Sequence, residues 1–391
     1  MHSAFEGWLD TPYSPSKEAL ATVRHATVHG VPCPVLLGYT PVARANPFQE
    51  LLYQRASEVG IHVAPIPKAG KLLAYTSLVD TAEVVAVHLH WPSFVLEGAR
   101  TLTQARDAVS QFTEDLASLQ GGGVKLVYTV HNEVPHDARF YDEELALQQL
   151  IVDRADVTHV MSTGTVDALS SVLRLDERRL LVSPHPNYRG AYPDHVSRRT
   201  ARLTLGVDPD DIVYAVLGAL KEYKALDVLL EAMTVINGGD GPRRRLLIAG
   251  APDNTTAMAA LVEEALLHPD VLIAPRRIPV EHVQYYLRAA DVGLVTYRRT
   301  LHSGALLLYQ SFDLPVIATS TPSLDEVTGN ETAECVDEIS LPAMVAALRR
   351  SDRLLGSEVR SVVRASMSKF DPGPLSVQFG SRLRVALTCA P

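Results

Sequence analysis

Cysteine is scarce in this chain. Cys33, Cys335 and Cys389 are the only three in 391 residues, and their wide spacing fits no metal-binding or redox motif. That argues against a disulfide-stapled scaffold and for reduced thiols in a cytosolic protein. Long hydrophobic runs are missing too, since no apolar stretch approaches the roughly 20 residues that span a bilayer. Residues 1–10 have neither the basic nor the apolar region of a secretory signal. Basic charge is in deficit: 36 Lys and Arg against 45 Asp and Glu leave a formal net charge of −9. A nucleic-acid partner would need the opposite sign. Low-complexity tracts and internal repeats are absent as well. These absences predict a cytoplasmic globular protein that at most visits the inner membrane surface.

What is present is an alternation of short β-branched runs with amphipathic stretches, the pattern of parallel sheets covered by helices. In the first half, strands are expected at 34–37, 84–89, 125–130, 157–161 and 180–183, with helices over 46–59, 102–119 and 165–173. The second half repeats the theme, with strands at 212–217, 245–249, 271–274, 292–296 and 316–318. Its helices are expected over 225–236, 256–267, 282–289, 305–312 and 341–350. Pro184, Pro186, Gly190 and Pro193 interrupt any regular element between the halves. The expected α/β fold is therefore two doubly wound, Rossmann-like domains facing a central cleft, with ligands at the carboxyl ends of the strands.

Two segments of the second half suit a phosphate ligand. Gly218-Ala-Leu-Lys221-Glu-Tyr-Lys224 follows a buried strand and opens a helix, where oriented amides and lysines favour anions. Thr300-Leu-His-Ser303-Gly304-Ala305 precedes an apolar helix, with Ser303 as N-cap and Gly304 allowing close backbone approach. Alone, the first could be two solvated lysines and the second a capped helix. Together, at one strand-end crevice, they could neutralise a departing nucleoside diphosphate with no bound metal.

The first half offers His88-Leu-His90-Trp91-Pro92 at one strand end and His131-Asn-Glu133-Val-Pro-His136-Asp137 at another. Period-two alternation puts His88 and His90 on one face, where His88 reads as a structural residue. His131, Glu133, His136 and Asp137 are possible general bases. Two other functions fit parts of the pattern. One is a zinc-dependent hydrolase using His88, His90, His131 and Asp137, which leaves Lys221, Lys224, Ser303 and Gly304 without a purpose. The other is a non-catalytic protein that binds a nucleotide-sugar.

Taken in order, these motifs resemble the GT-B glycosyltransferases, in particular the group related to bacterial β-1,4-mannosyltransferases and the wider family-4 enzymes. The resemblance runs from about residue 34 to 348. It rests on Asn46 to Tyr53, His88 to Pro92, Thr129 to Asn132 with His136, His185 to Tyr192, Glu222-Tyr223-Lys224, Arg277-Ile278-Pro279, Ala289-Ala290-Asp291 and Ser303-Gly304-Ala305. It implies an acceptor domain over 1–190, a nucleotide-sugar domain over 191–365, and a segment over 366–391 that returns to the first domain. By the same resemblance, Lys221, Lys224, Ser303, Gly304 and Ala305 would hold the diphosphate. Arg277 and Ile278 would border the nucleobase, and His131 would approach the transferred sugar. His90, Trp91 and His136 would lie on the acceptor side.

The sequence also departs from that family. The glutamate positions of retaining family-4 enzymes fall on Thr300 and Leu308, which implies inversion with His131, Asp137 or Glu133 as the base. Ala225 follows the lysine, and Asp313 precedes Leu-Pro, where glycine is usual in the family. The implied protein is a metal-independent hexosyltransferase that needs no cofactor. GDP-mannose or a UDP-sugar would be the donor. The acceptor would be a saccharide, a lipid-linked saccharide or a small natural product, as in polysaccharide or glycoconjugate biosynthesis.

Overall fold

The computed structural model describes residues 15–28, 30, 33–44, 46–67, 69–133, 138–239 and 241–389. The chain divides into two compact units. One runs to Pro186 and resumes at Pro372, and the other spans Asn187–Asp371. These limits differ by a few residues from 190 and 365 because local bonds tie 187–190 to the second unit. The Asn187 side chain donates to the Met367 carbonyl at 2.9 Å and to Asp371 at 2.8 Å, and the Tyr188 amide donates to Ser311. The last helix, Pro372–Thr388, packs within the first unit, where Phe379 and Leu383 are part of the core.

The first unit holds β1 (Val35–Thr40), β2 (Ile61–Pro65), β3 (Val84–Leu89), β4 (Lys125–Thr129), β5 (Val157–Val160) and β6 (Leu180–Val182). They form one parallel sheet in the order β2-β1-β3-β4-β5-β6. The second unit holds β7 (Ile212–Leu217), β8 (Arg244–Ala249), β9 (Val271–Ala274), β10 (Val292–Val295), β11 (Val316–Thr319) and β12 (Ala333–Val336). Its order is β12-β11-β10-β7-β8-β9, again parallel. β1 and β7 are buried at every residue, as strands covered by helices on both faces must be.

Strand order reverses between β1 and β3 in the first sheet and between β7 and β10 in the second. Loops leave such a point in opposite directions and open a crevice at the carboxyl ends of the strands. Both fall beside motifs singled out above: His90 follows β3, and Gly218 to Lys224 follows β7.

Two edge strands and several helices, among them Pro15–Val28, Tyr141–Arg154, Arg198–Leu205 and Ser357–Ser366, were not expected from the sequence. β2 carries His62 and ends on a proline, and β12 carries Glu334, so neither reads as an apolar run. The helix Tyr141–Arg154 opens with Asp142, Glu143 and Glu144, which mask its apolar stripe of Leu147, Ile151 and Val152. Residues 46–59 form not one helix but Phe48–Tyr53 followed by the 3-10 turn Ala56–Val59. Among the described residues, no helix is long and apolar enough to cross a membrane.

The turn after β7 depends on two glycines. Gly218 has φ of +96°, and a Cβ on Gly250 would lie 1.9 Å from the Gly218 carbonyl oxygen. That oxygen is backbone and has nowhere to move. Gly250→Ala is expected to cost about 3 kcal/mol, the upper part of the overpacking range. An unchanged urea midpoint for the second unit would contradict this close approach.

Candidate functional site

The two phosphate-binding candidates of the second unit meet around one tyrosine. Lys224 is only 4% exposed; its ammonium donates to the Leu217 carbonyl at 3.0 Å and lies 5.8 Å from the centre of the Tyr297 ring. Tyr297, just beyond β10, shares a side-chain hydrogen bond with Ser303. Ser303 in turn accepts from the Leu306 amide at 3.1 Å and caps the helix Gly304–Ser311. The carboxyl ends of β7 and β10, a buried lysine and a capped helix N-terminus thus converge at the switch point of the sheet. Tyr223 packs edge-on against Tyr297, with ring centres 5.1 Å apart. Tyr309 reaches back from the helix so that its hydroxyl accepts from the Leu217 amide at 2.7 Å. The bare face of Gly293 makes room for the Tyr309 ring, which a Cβ there would meet at 2.3 Å.

Burial pushes the Lys224 ammonium down to about 8, and the neighbouring charge of Lys221 adds to the shift. Among the described residues no carboxylate pairs with Lys224. A buried cation whose partners are a carbonyl and an aromatic face is poorly neutralised, and an incoming anion would supply the missing charge. Lys221 is more open and approaches Asp253 at 3.9 Å. Gly304 has Tyr188 against it: a Cβ there would sit 2.8 Å from the Tyr188 hydroxyl. Ala305 is half-buried in the first turn of the same helix.

Arg277 and Ile278 lie in the loop after β9, two strands from β7 or roughly 10 Å at normal sheet spacing. Arg277 is exposed and Ile278 half-buried. Asp291, of the Ala289-Ala290-Asp291 motif, does not lie at the carboxyl ends of the strands. It sits at the amino end of β10, where it accepts from Arg198, Arg202 and the Val213 amide, so it clamps the sheet at the edge away from the crevice. Ala225 and Asp313, where glycine is usual in the resembled family, are the two non-glycine residues with positive φ among those described, at 51° and 62°. The backbone conformation persists although the residue that adopts it most cheaply is absent. Around Asp313, ion pairs with Arg364 and Arg189 help to hold it.

In the first unit, alternation places His88, His90, Thr129, His131 and His159 on one face of β3 to β5 and their extensions. His88, His90, Thr129 and His159 are fully buried and His131 is 8% exposed. His131 Nε2 lies 2.9 Å from His90 Nδ1, and His90 Nε2 lies 2.8 Å from the Tyr53 hydroxyl. That hydroxyl lies 2.7 Å from His88 Nδ1, and His88 Nε2 lies 2.7 Å from Thr129 Oγ1. Thr129 Oγ1 lies 2.9 Å from His159 Nδ1, and His159 Nε2 lies 2.9 Å from the Ser183 carbonyl. Burial first, then the neighbouring imidazoles, hold His88 and His90 well below the ordinary histidine range; burial takes His159 to about 4. All three are neutral at pH 7.

Trp91 stacks on His131 at 4.0 Å, and Phe48 meets the same ring edge-on at 5.0 Å. A small cavity bordered by Trp91, Tyr128, His131, Asn132 and Gln148 opens beside it. Glu133 is held by Tyr141, whose hydroxyl donates to its carboxylate at 3.3 Å, while its carbonyl accepts from Gln148. His136 and Asp137 lie outside the described residues. The nitrogens of His88 and His90 are taken up by Tyr53, Thr129 and His131 rather than turned toward a shared ion. Among the described residues no group of three or more His, Cys, Asp or Glu is placed to hold a metal. A larger cavity of about 630 Å³, lined by Lys125, Arg178, Arg179 and Arg382 among others, opens at the amino ends of β4 to β6, the edge opposite His131.

Sequence reasoning missed the roles of Tyr53, Thr129, His159, Ser183, Tyr297 and Tyr309. Thr129 carried a usable signal, since period two puts it on the face of His131, whereas the face that both share with His88 and His159 is set by strand register. Tyr53 and Tyr297 carried none, because their contacts join segments far apart in the chain.

Comparison with known proteins bears on the family and the fold. Residues 211–351 match the family described as Glycosyl transferases group 1. Over 239 residues the chain is 28% identical to a GDP-mannose:glycolipid 4-beta-D-mannosyltransferase of Xanthomonas campestris pv. campestris, covering 59% of this chain and 60% of that protein. The chain therefore spans less than two thirds of the length of that relative. Among solved structures, a sucrose-phosphate synthase from Thermosynechococcus elongatus superposes with a TM-score of 0.67 at 17% identity, over 91% of this chain and all of that one. Anabaena HepE in complex with UDP and glucose gives a TM-score of 0.64 at 13% identity, over 89% and 99% of the two chains. The second unit thus carries a glycosyl transferases group 1 domain, and the two parallel six-stranded sheets follow the GT-B fold of these structures.

Proposed function

We propose that this protein is a hexosyltransferase that moves a sugar from a nucleoside-diphosphate donor to an acceptor hydroxyl. The observation that carries the reading is the meeting of Lys224, Tyr297 and the Ser303-capped helix at the β7/β10 switch point. In it, the diphosphate rests on the amides of Ser303, Gly304 and Ala305 and pairs with Lys224 and Lys221. As the glycosidic bond breaks, negative charge grows on the leaving diphosphate and these fixed groups meet it. Arg277 and Ile278 border the base. His131 in the first unit takes the proton of the acceptor hydroxyl, with His90, Trp91 and His136 on the acceptor side and Asp137 and Glu133 as the other bases. Attack is direct, with inversion, and no metal or cofactor takes part.

The name of the Xanthomonas relative supports GDP-mannose as the donor and a glycolipid as the acceptor. The UDP complex of HepE supports a UDP-sugar as the next choice. A saccharide or a small natural product is the further acceptor class. A lipid-linked acceptor would bring the protein to the cytoplasmic face of a membrane.

A thermal-shift series with GDP, UDP, TDP and ADP tests the donor. A hundredfold excess over Kd stabilises the binding unit by about 2.7 kcal/mol. For a unit of this size that is a rise of about 5–10 °C. One nucleotide should give this rise with and without a chelator. If none does, and no donor is turned over, the assignment fails.

A further inference from the structure

We infer that the buried chain from Ser183 to His131 has a single hydrogen-bond polarity, which fixes His131 as the Nε2–H tautomer and presents its Nδ1 lone pair as the proton acceptor. The argument starts at the far end. The Ser183 carbonyl has no proton, so His159 Nε2, 2.9 Å away, must carry one and donate it. His159 is neutral, so its Nδ1 is bare and accepts from the Thr129 hydroxyl at 2.9 Å. With its proton committed there, Thr129 Oγ1 accepts from His88 Nε2–H at 2.7 Å.

The same step repeats along the row. His88 Nδ1 accepts from the Tyr53 hydroxyl at 2.7 Å, and the Tyr53 oxygen accepts from His90 Nε2–H at 2.8 Å. Burial raises the Tyr53 phenol well above its usual range, so that proton stays in place. His90 Nδ1 then accepts from His131 Nε2–H at 2.9 Å. Reversing any link would set two lone pairs against each other at hydrogen-bond distance inside a site that excludes water, where an unmade bond is costly.

The backbone carbonyl of Ser183 therefore does at a distance what a carboxylate does beside a catalytic histidine: it selects the tautomer and orients the ring. A proton gained at His131 Nδ1 leaves positive charge on an imidazole whose Nε2–H already points at an acceptor. Thr129, His159, Tyr53 and His88 are positioning residues in this scheme. Its catalytic meaning rests on the reading of His131 as the base, whereas the tautomer itself is a property of the resting protein.

Nitrogen-15 NMR of the histidine rings in the ligand-free protein, at about one pH unit above the ordinary histidine value, reads the tautomers directly. The expected result is Nε2–H at His88, His90, His131 and His159. An Nδ1–H form at any of them in the folded protein overturns the inference, whether or not sugar transfer has been detected. Thr129→Val removes the central hydroxyl. It should leave His131 as a mixture of tautomers and lower kcat/KM by about tenfold, with the thermal shift given by the bound nucleotide unchanged. Thr129→Ser should restore both the single tautomer and the rate. If Thr129→Val keeps His131 purely Nε2–H, the chain does not set its tautomer, and the inference is refuted even where the rate falls.

Discussion

Replacing Lys224 with methionine is expected to lower turnover by about two orders of magnitude or more, the loss typical when a preorganised charge is removed from a developing anion. The fold should survive the change. Burial has drawn this ammonium from 10.5 to about 8, so below pH 8 its charge opposes folding of the empty site by on the order of 3 kcal/mol. Methionine fills similar space without that penalty, and the ligand-free melting temperature of the second unit should stay level or rise. Stability and rate would then move in opposite directions, as they do where a site holds strained charge for function. The sign of the pH dependence follows from the same shift. Only the protonated lysine attracts a diphosphate, so donor affinity in the wild type should decline as pH rises above about 8. In the methionine variant that limb should disappear. Near-normal turnover in the variant would remove Lys224 from the site.

The second large effect concerns acid. His88, His90, His159 and His185 all titrate below the ordinary histidine value, His159 and His185 at about 4, and in each case burial is the largest cause. A group with a depressed folded pKa must stay neutral in the native state while the unfolded chain takes up its proton. The stability it contributes is complete above the unfolded value near 6.5 and is lost as pH falls toward 4. Each such histidine contributes a slope of at most about 1.4 kcal/mol per pH unit, so four together approach about 5.5 kcal/mol per unit. Against a typical unit stability of 5–15 kcal/mol, the first unit should unfold before pH 4 is reached. Melting temperature measured from pH 7.5 to 4 should be nearly flat above about 6.5 and steep below it. His159→Gln should flatten the slope by roughly one proton. A first unit that melts at the same temperature at pH 7 and pH 5 would mean that these rings are hydrated or already charged.

The two large effects differ in how readily the residues behind them could be found. Lys224 was legible, because glycine after a buried strand and lysine at a helix start are local signals of an anion site. Its strength was not, since two solvated lysines would read identically. What distinguishes them is burial under Tyr297, which comes from another strand. The histidine row was half legible. His88 and His90 share a face by alternation alone, and His88 was read as structural, which its full burial agrees with. That it forms the middle of a continuous chain depends on Tyr53 from a separate helix and Thr129 from the neighbouring strand.

Apolar periodicity and turn chemistry, both local, were enough to give this protein its class: two parallel α/β units joined through a proline-rich stretch, with polar motifs at strand ends. Local signals also marked Ser303 as a cap, whereas positions 225 and 313 stood out only through the family resemblance, in which glycine is usual there. Strand order, by contrast, was decided only in three dimensions. The reversals between β1 and β3 and between β7 and β10 select which loops share a crevice, and nothing in a stretch of ten residues encodes a neighbour eighty residues away. The same holds for the charge states of Lys224 and the buried histidines. Their protonation is governed by how much water the surrounding chain excludes, and that exclusion exists only once the sheets and their covering helices have closed.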